Sequence, residues 1–259
     1  IMCGLFGMQT TLLPQSKKED LINALLVKSS TRGQDSFSLC SLEGNNLIAK
    51  KHLGVFRQRW YKKEFQKIVN CNSILGHTRQ ASQGQVIMDN QHPFTCGNWT
   101  MAHNGCIYGK QYLRETLIIP NGTTDTEEFL TWLVSVKKYD LSSLLEEQGQ
   151  AFWIVDKTLP DQFYLLSTAT HENLWIHQEN GLFVFASQED LLSTSLQIIG
   201  IKPKCQVIPH DEVLYVKNCK LYTTGIKRKK IKPIKSYVGY HNQWTQKHLS
   251  EKTYIDRET

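Results

Sequence analysis

The chain breaks into many apolar runs of strand length and a few of helical length, and the two kinds do not alternate. From Ala151 onward the texture is all strand: Ala151–Val155, Gln162–Ser167, Leu174–His177 and Leu182–Ala186, then short strands near Cys205–Ile208, Glu212–Val216 and Lys220–Thr223. Upstream, Met2–Met8, Phe37–Leu42, Ser73–Gly76 and Trp99–Tyr108 read as strands, the last broken at Asn104-Gly105. Leu47–Leu53 forms a hairpin with Phe37–Leu42 across the turn Glu43–Asn46. His92-Pro93-Phe94 reads as a loop. Three helices are expected. Ser16-Lys17-Lys18-Glu19 has the form of a capping box ahead of Leu21, Ile22, Leu25 and Leu26 at helical spacing. Thr124-Asp125-Thr126-Glu127 opens a second helix and Ser187-Gln188-Glu189-Asp190 a third, through about Ile199. Strands without regular β-α alternation point to an α+β fold, with helices segregated onto the faces of antiparallel sheets. One domain over 1–224 is expected, followed by a basic tail over 225–259.

Composition excludes more than it assigns. A hydrophobic share of 40% with 21% charge suits a folded globular chain. No apolar run approaches the roughly 18 residues a membrane helix needs. The first residues lack the basic and apolar regions of a secretory signal. Seven cysteines, odd in number and without a C-x-x-C pair, argue against a disulfide framework or thiolate zinc site and for a reducing, cytoplasmic setting. His77, His92 and His103 have spacings that match no helical ligand pair and read as structural, so no metal is expected. No glycine-rich phosphate loop is present, so no nucleotide cofactor is expected. The net charge of +6 comes partly from Ile226–Lys235, six basic residues in ten. That segment reads first as a solvated tail or linker; the other reading is a weak nucleic-acid contact.

The chemistry centres on Cys3, followed at once by Gly4. With Ile1 and Met2 removed, Cys3 carries a thiol and a free α-amine on one Cα. The amine, with a reference pKa of about 7.7–8.0, can serve as base for a thiol of about 8.5. Otherwise Cys3 is a small apolar residue opening a strand. A thiol that attacks a carbonyl needs donors for the oxyanion, and Asn104 with the Gly105 N–H offers a pair; otherwise Asn-Gly is a turn. Losing one such donor costs about 2.7–4 kcal/mol of transition-state stabilisation. Arg79 can fork onto a carboxylate, aided by Ser82, and Asp125 can accept from an ammonium. Arg32 and Asp35 read as a turn ion pair shaping the wall near Cys3.

Six motifs in order, MCGLFG, RGQDS (32–36), GHTRQASQG (76–84), HPF (92–94), AHNG (102–105) and TDTE (124–127), resemble those of the class II glutamine amidotransferases, members of the N-terminal-nucleophile hydrolase superfamily. The resemblance extends to about residue 224. It implies a four-layer α-β-β-α sandwich, a glutaminase reaction on L-glutamine, and no metal or cofactor. By resemblance Cys3 is the nucleophile, Asn104 and Gly105 the oxyanion hole, and Arg79 and Ser82 the α-carboxylate site. Asp125 is then the α-ammonium site, and Gln80 belongs to the glutamine-binding loop. GHTR with HPF looks like the hexosamine-phosphate synthase branch; RGQD and AHNG resemble the phosphoribosyl amidotransferase branch as well. The chain departs from the first branch at Gln80 and Gln83, where Trp and His are expected. The family normally passes ammonia to a fused synthase domain, so the expectations are an acceptor on a separate synthase subunit, a stand-alone glutaminase, or a chain that is a fragment of a longer one. The alternative is a silent module that binds glutamine or scaffolds a partner.

Overall fold

The central strands are buried along nearly their whole length, because each face of each sheet meets a different layer. The computed structural model describes residues 3–56, 65–82, 84–107, 118–146, 150–168 and 173–228. Ile1, Met2, Gln83 and the tail beyond Arg228, with the readings made of them, lie outside the described residues. Strands are numbered along the chain. One sheet contains β1 (Gly4–Thr10), β2 (Ser36–Glu43), β3 (Asn46–Leu53), β4 (Ser73–Arg79), β9 (Trp175–Glu179), β10 (Leu182–Ala186) and β11 (Gln206–Val207). The other contains β5 (Phe94–Cys96), β6 (Trp99–Asn104), β7 (Ala151–Asp156), β8 (Gln162–Ser167), β12 (Glu212–Lys217) and β13 (Lys220–Lys227). The orders are β11-β9-β10-β1-β4-β2-β3 and β13-β12-β8-β7-β6-β5. Every pairing is antiparallel.

Successive residues of a strand face opposite sides, which sorts the apolar side chains into three cores. Phe6 and Met8 of β1 face outward, against Leu21, Ile22, Leu25 and Leu26 of α1 (Gln15–Ser29) and Leu191, Leu192 and Leu196. Leu5 faces inward, where Leu75, Phe183 and Phe185 meet Trp153 and Phe163 of the second sheet. On that sheet's far side, Met101, Phe152 and Ile154 pack on Phe129, Leu130 and Leu133. A four-residue helix α2 (Gln66–Val69) precedes β4; the outer helices are α3 (Asp125–Ser135) and α4 (Glu189–Ile198). The layers are therefore helix, sheet, sheet, helix, the α+β sandwich expected.

Local differences have local causes. Ser16 caps nothing: α1 begins one residue earlier, with Pro14 at its N-cap and no side-chain cap bond. Proline presets φ at −62° there, which draws Ser16 into the first turn. The second box forms by half. Thr124 Oγ1 accepts from Glu127 N at 3.3 Å, but the Glu127 carboxylate accepts from Asn121 N and Gly122 N instead. Short β5 and α2 carry too few residues for a legible period. β13 runs past Thr223 to Lys227, and the first basic residues of the tail are tied back. Lys227 Nζ lies 3.2 Å from Glu212 and Arg228 Nη1 3.1 Å from Asp211. No described helix is long and apolar enough to cross a membrane, and the seven cysteines are all free thiols.

Candidate active site

Pairing of β1 with β4 places Gly4 opposite Thr78 and so delivers Cys3 to the segment just beyond β4. The approach is close: a Cβ on Gly4 would fall 2.5 Å from Thr78 Oγ1 and 3.0 Å from Ser29 Cβ, which only glycine avoids. Cys3 is then held on all sides. Its nitrogen donates to Asn104 Oδ1 at 2.9 Å, and its carbonyl accepts from Arg32 Nε at 2.7 Å. Gln80 N donates to the sulfur at 3.4 Å, and the Gln80 carbonyl lies 3.6 Å from it. Asn104 ends β6 in the opposing sheet, so the contact to Cys3 joins the two sheets. With its oxygen committed to Cys3, the Asn104 amide keeps its NH₂ as the donor end. Gly105 turns the chain off β6 at φ 136°, a region glycine enters freely.

Cys3, Arg79, Gln80, Ser82, Gly105 and Asp125 line one pocket, with Thr124 and Thr126 at its helical wall and His92 and His103 at its floor. Arg79 ends β4, buried, with Nη1 donating to Gln85 O at 3.2 Å. Burial pulls its guanidinium below the ordinary pKa, while the charges of Cys3, Asp35 and Asp125 pull the other way. Asp125 opens α3. Its Oδ2 accepts from Ile107 N at 2.7 Å and its Oδ1 from Thr126 N at 2.8 Å, which aims the carboxylate and leaves lone pairs for another donor. Ser82 Oγ lies 3.6 Å from Cys106 Sγ. The Gln80 side chain turns away to donate to Asp35 Oδ2 at 3.0 Å, so this residue meets the thiol through its backbone.

Cys3, Arg79, Gln80, Ser82, Asn104, Gly105 and Asp125 thus come together from positions as distant as 3 and 125. Asp35 organises more than a turn: its Oδ2 also accepts from Ala81 N at 2.8 Å, fixing the loop that carries Gln80 and Ser82. Sequence reasoning missed Thr126, which lines the pocket, and Gln150, which bonds His103 behind it. The TDTE motif contained Thr126 but gave it no role, and Gln150 has no local signal.

Three histidines meet under the pocket. The His77 and His92 rings have centroids 4.2 Å apart, and His92 Nε2 and His103 Nδ1 both reach Thr126 Oγ1 at 3.0 Å. No group of three or more His, Cys, Asp or Glu among the described residues is arranged to hold a metal ion. Burial, and then the neighbouring histidines and Arg79, pushes His77 down to about 3 and His92 well below its ordinary value. Both rings are neutral in the folded protein near neutral pH, and protonate more readily once it unfolds. For a depressed histidine the unfolded chain binds the extra proton, so stability is full above the unfolded pKa of about 6.5 and falls below it. Each histidine contributes a slope of about 1.4 kcal/mol per pH unit there. Urea unfolding followed from pH 7.5 to 5 should show a falling midpoint; a flat midpoint would contradict the burial of the two rings.

The pocket can therefore present a thiol, an amide and glycine donor pair, a buried cation and an oriented carboxylate to one small zwitterion. Comparison with known proteins bears on the same region. The family model for class II glutamine amidotransferases matches residues 63–212, more than half the chain. The putative glutamine amidotransferase YafJ of Escherichia coli K12 is 33% identical over 128 residues, covering 42% of this chain and 49% of that protein. The glutamine--fructose-6-phosphate aminotransferase of Sulfolobus acidocaldarius is 28% identical over 216 residues, covering 81% and 33%. This chain thus spans half or less of the length of these relatives. The solved structure of glutamine phosphoribosylpyrophosphate amidotransferase from B. subtilis superposes with a TM-score of 0.67 at 20% identity, covering 88% of this chain and 50% of that one. That likeness bears on the fold alone. With the family model running from α2 through β11, the chain belongs to the class II glutamine amidotransferases.

Proposed function

We propose that this chain hydrolyses the side-chain amide of L-glutamine through a thioester on Cys3 and yields ammonia for an acceptor carried outside residues 1–259. The observation that carries the reading is the convergence of Cys3, bonded to Asn104, with Gly105, Arg79 and Asp125 around one pocket. Removal of Ile1 and Met2 frees the Cys3 α-amine. One of its N–H groups stays hydrogen-bonded to Asn104 Oδ1, and the nitrogen lone pair takes the thiol proton. The thiolate adds to the amide carbon, and the Asn104 NH₂ and Gly105 N–H receive the oxyanion. The protonated amine returns its proton to the leaving nitrogen, ammonia departs, and a γ-glutamyl thioester remains. Water, deprotonated by the same amine, resolves the thioester to glutamate and the free thiol. Arg79 and Ser82 hold the α-carboxylate, Asp125 the α-ammonium, and the Gln80 backbone braces the sulfur. No step calls for a metal. A reducing cytoplasmic compartment suits a reactive thiol among six other cysteines.

Intact mass and a glutamate-release assay test this together. The expected result is a mature chain beginning at Cys3 that releases glutamate and ammonia in equal amounts. A folded chain with Cys3 first that neither releases glutamate nor takes label from a diazoketone analogue of glutamine, alone or in native extract, refutes the reaction and leaves the silent module.

A further inference from the structure

Beneath the pocket runs a set of contacts that this chemistry does not use. Thr126 Oγ1 lies 3.0 Å from both His92 Nε2 and His103 Nδ1. His103 Nε2 meets Gln150 Oε1, and Gln150 Nε2 donates to Cys106 O at 2.6 Å. All four side chains are buried. The chemistry of each group sets the direction of each bond. The Gln150 NH₂ is committed to a carbonyl, so its oxygen faces His103, and an amide oxygen only accepts. His103 therefore carries its proton on Nε2. In a neutral imidazole Nδ1 is then an acceptor and takes the Thr126 hydroxyl proton, leaving the hydroxyl oxygen to accept from His92 Nε2–H. Donation from Thr126 to Asp125 Oδ1 would span 3.3 Å, to an oxygen that already accepts from Thr126 N at 2.8 Å. His77 fits the pattern. Its Nε2 faces the His103 carbonyl at 3.1 Å, and the Nδ1 atoms of His77 and His92 are buried with no hydrogen-bond partner. The result is a one-way chain, His92 to Thr126 to His103 to Gln150 to Cys106.

We propose that Thr126, backed by His103 and Gln150, is a positioning residue of the glutamine site, locking the first turn of α3 to the end of β6 so that Asp125 faces Cys3. The proposal rests on the glutamine reading above. The lock acts at two points. Thr126 follows Asp125 directly, and Cys106, where the chain ends, precedes Ile107, whose N–H holds Asp125 Oδ2. His103 precedes Asn104, so the same bonds set the strand end that bears the oxyanion donors.

The test is Thr126→Val beside Thr126→Ser in the processed full chain. Valine keeps the volume, but can neither accept from His92 Nε2–H nor donate to His103 Nδ1. Two labels for Cys3 separate positioning from reactivity: the diazoketone glutamine analogue, which needs the amino-acid cradle, and iodoacetamide, which does not. Thr126→Val should slow the first about ten- to a hundredfold and raise the glutamine KM more than it lowers kcat, with the second within about twofold. Thr126→Ser should recover most of the loss. Equal slowing of both labels, no slowing, or failure of serine to rescue overturns the proposal. A wild-type chain unmoved by glutamine or its analogue would sink the glutamine reading, and imidazole ¹⁵N shifts then decide the chain on their own. All three rings should carry the proton on Nε2, and the His103 Nδ1 signal should move in Thr126→Val. A proton on His103 Nδ1, or an unmoved signal, overturns it.

Discussion

Replacing Cys3 with alanine should lower glutamate release by about 10⁴-fold or more while the protein keeps its fold and its affinity for glutamine. The thiol lies outside the three apolar cores, and its contacts with Gln80 run to backbone atoms of a loop that Asp35 holds independently, through Gln80 Nε2 and Ala81 N. Truncation should therefore shift the melting temperature by no more than about 2 °C. A chain that retains Ile1 and Met2 should fail as completely for a different reason. Its sulfur is present, but its nitrogen is an amide with no basic lone pair. The pair of variants divides the two functions of one residue. Alanine removes the nucleophile and keeps the base; the two-residue extension keeps the nucleophile and removes the base. Glutamate release that survives either change at more than about 1% of wild type would show that the chemistry runs elsewhere in the pocket.

The sandwich was legible wherever one physical period dominated. Leu21, Ile22, Leu25 and Leu26 announce α1, and the strand texture after Ala151 announces β7, β8, β10 and β12, because each of these segments buries one face or both. The reading weakened where the chain's own chemistry departs from the pattern. Ser16 resembled a cap, yet proline two residues earlier set the helix start. Glu127 resembled a box partner, yet two nearer backbone N–H groups, at Asn121 and Gly122, claimed its carboxylate. The site divides the same way. Residues that the proposed reaction brings to the ligand stand in motifs, so Cys3, Arg79, Asn104 and Asp125 could be picked from the chain. Residues that hold those groups in place are set by tertiary contact alone. Gln150 reaches His103 across a separation of 47 residues, and no spacing in the sequence anticipates that bond.

Asp125→Asn should cut kcat/KM for glutamine by about a hundredfold, the cost expected when one member of a desolvated charge pair loses its charge. The substitution has a second effect. Asparagine turns an NH₂ toward either Ile107 N–H or Thr126 N–H, both donors, so the loop and the first turn of α3 must shift. A loss measured on glutamine alone would mix that shift with the missing charge. Measuring 4-carbamoylbutanoate, which is glutamine without its α-ammonium, separates them. The wild-type chain should discriminate against this substrate by about a hundredfold, and Asp125→Asn should barely discriminate at all, because the shift burdens both substrates alike and cancels in the ratio. The mirror experiment applies to Arg79 with 4-aminobutanamide, which lacks the α-carboxylate. Should Asp125→Asn keep the wild-type preference for glutamine over the amine-free amide, the carboxylate does not face the ammonium. Asp125 would then serve only to hold Ile107 and the start of α3.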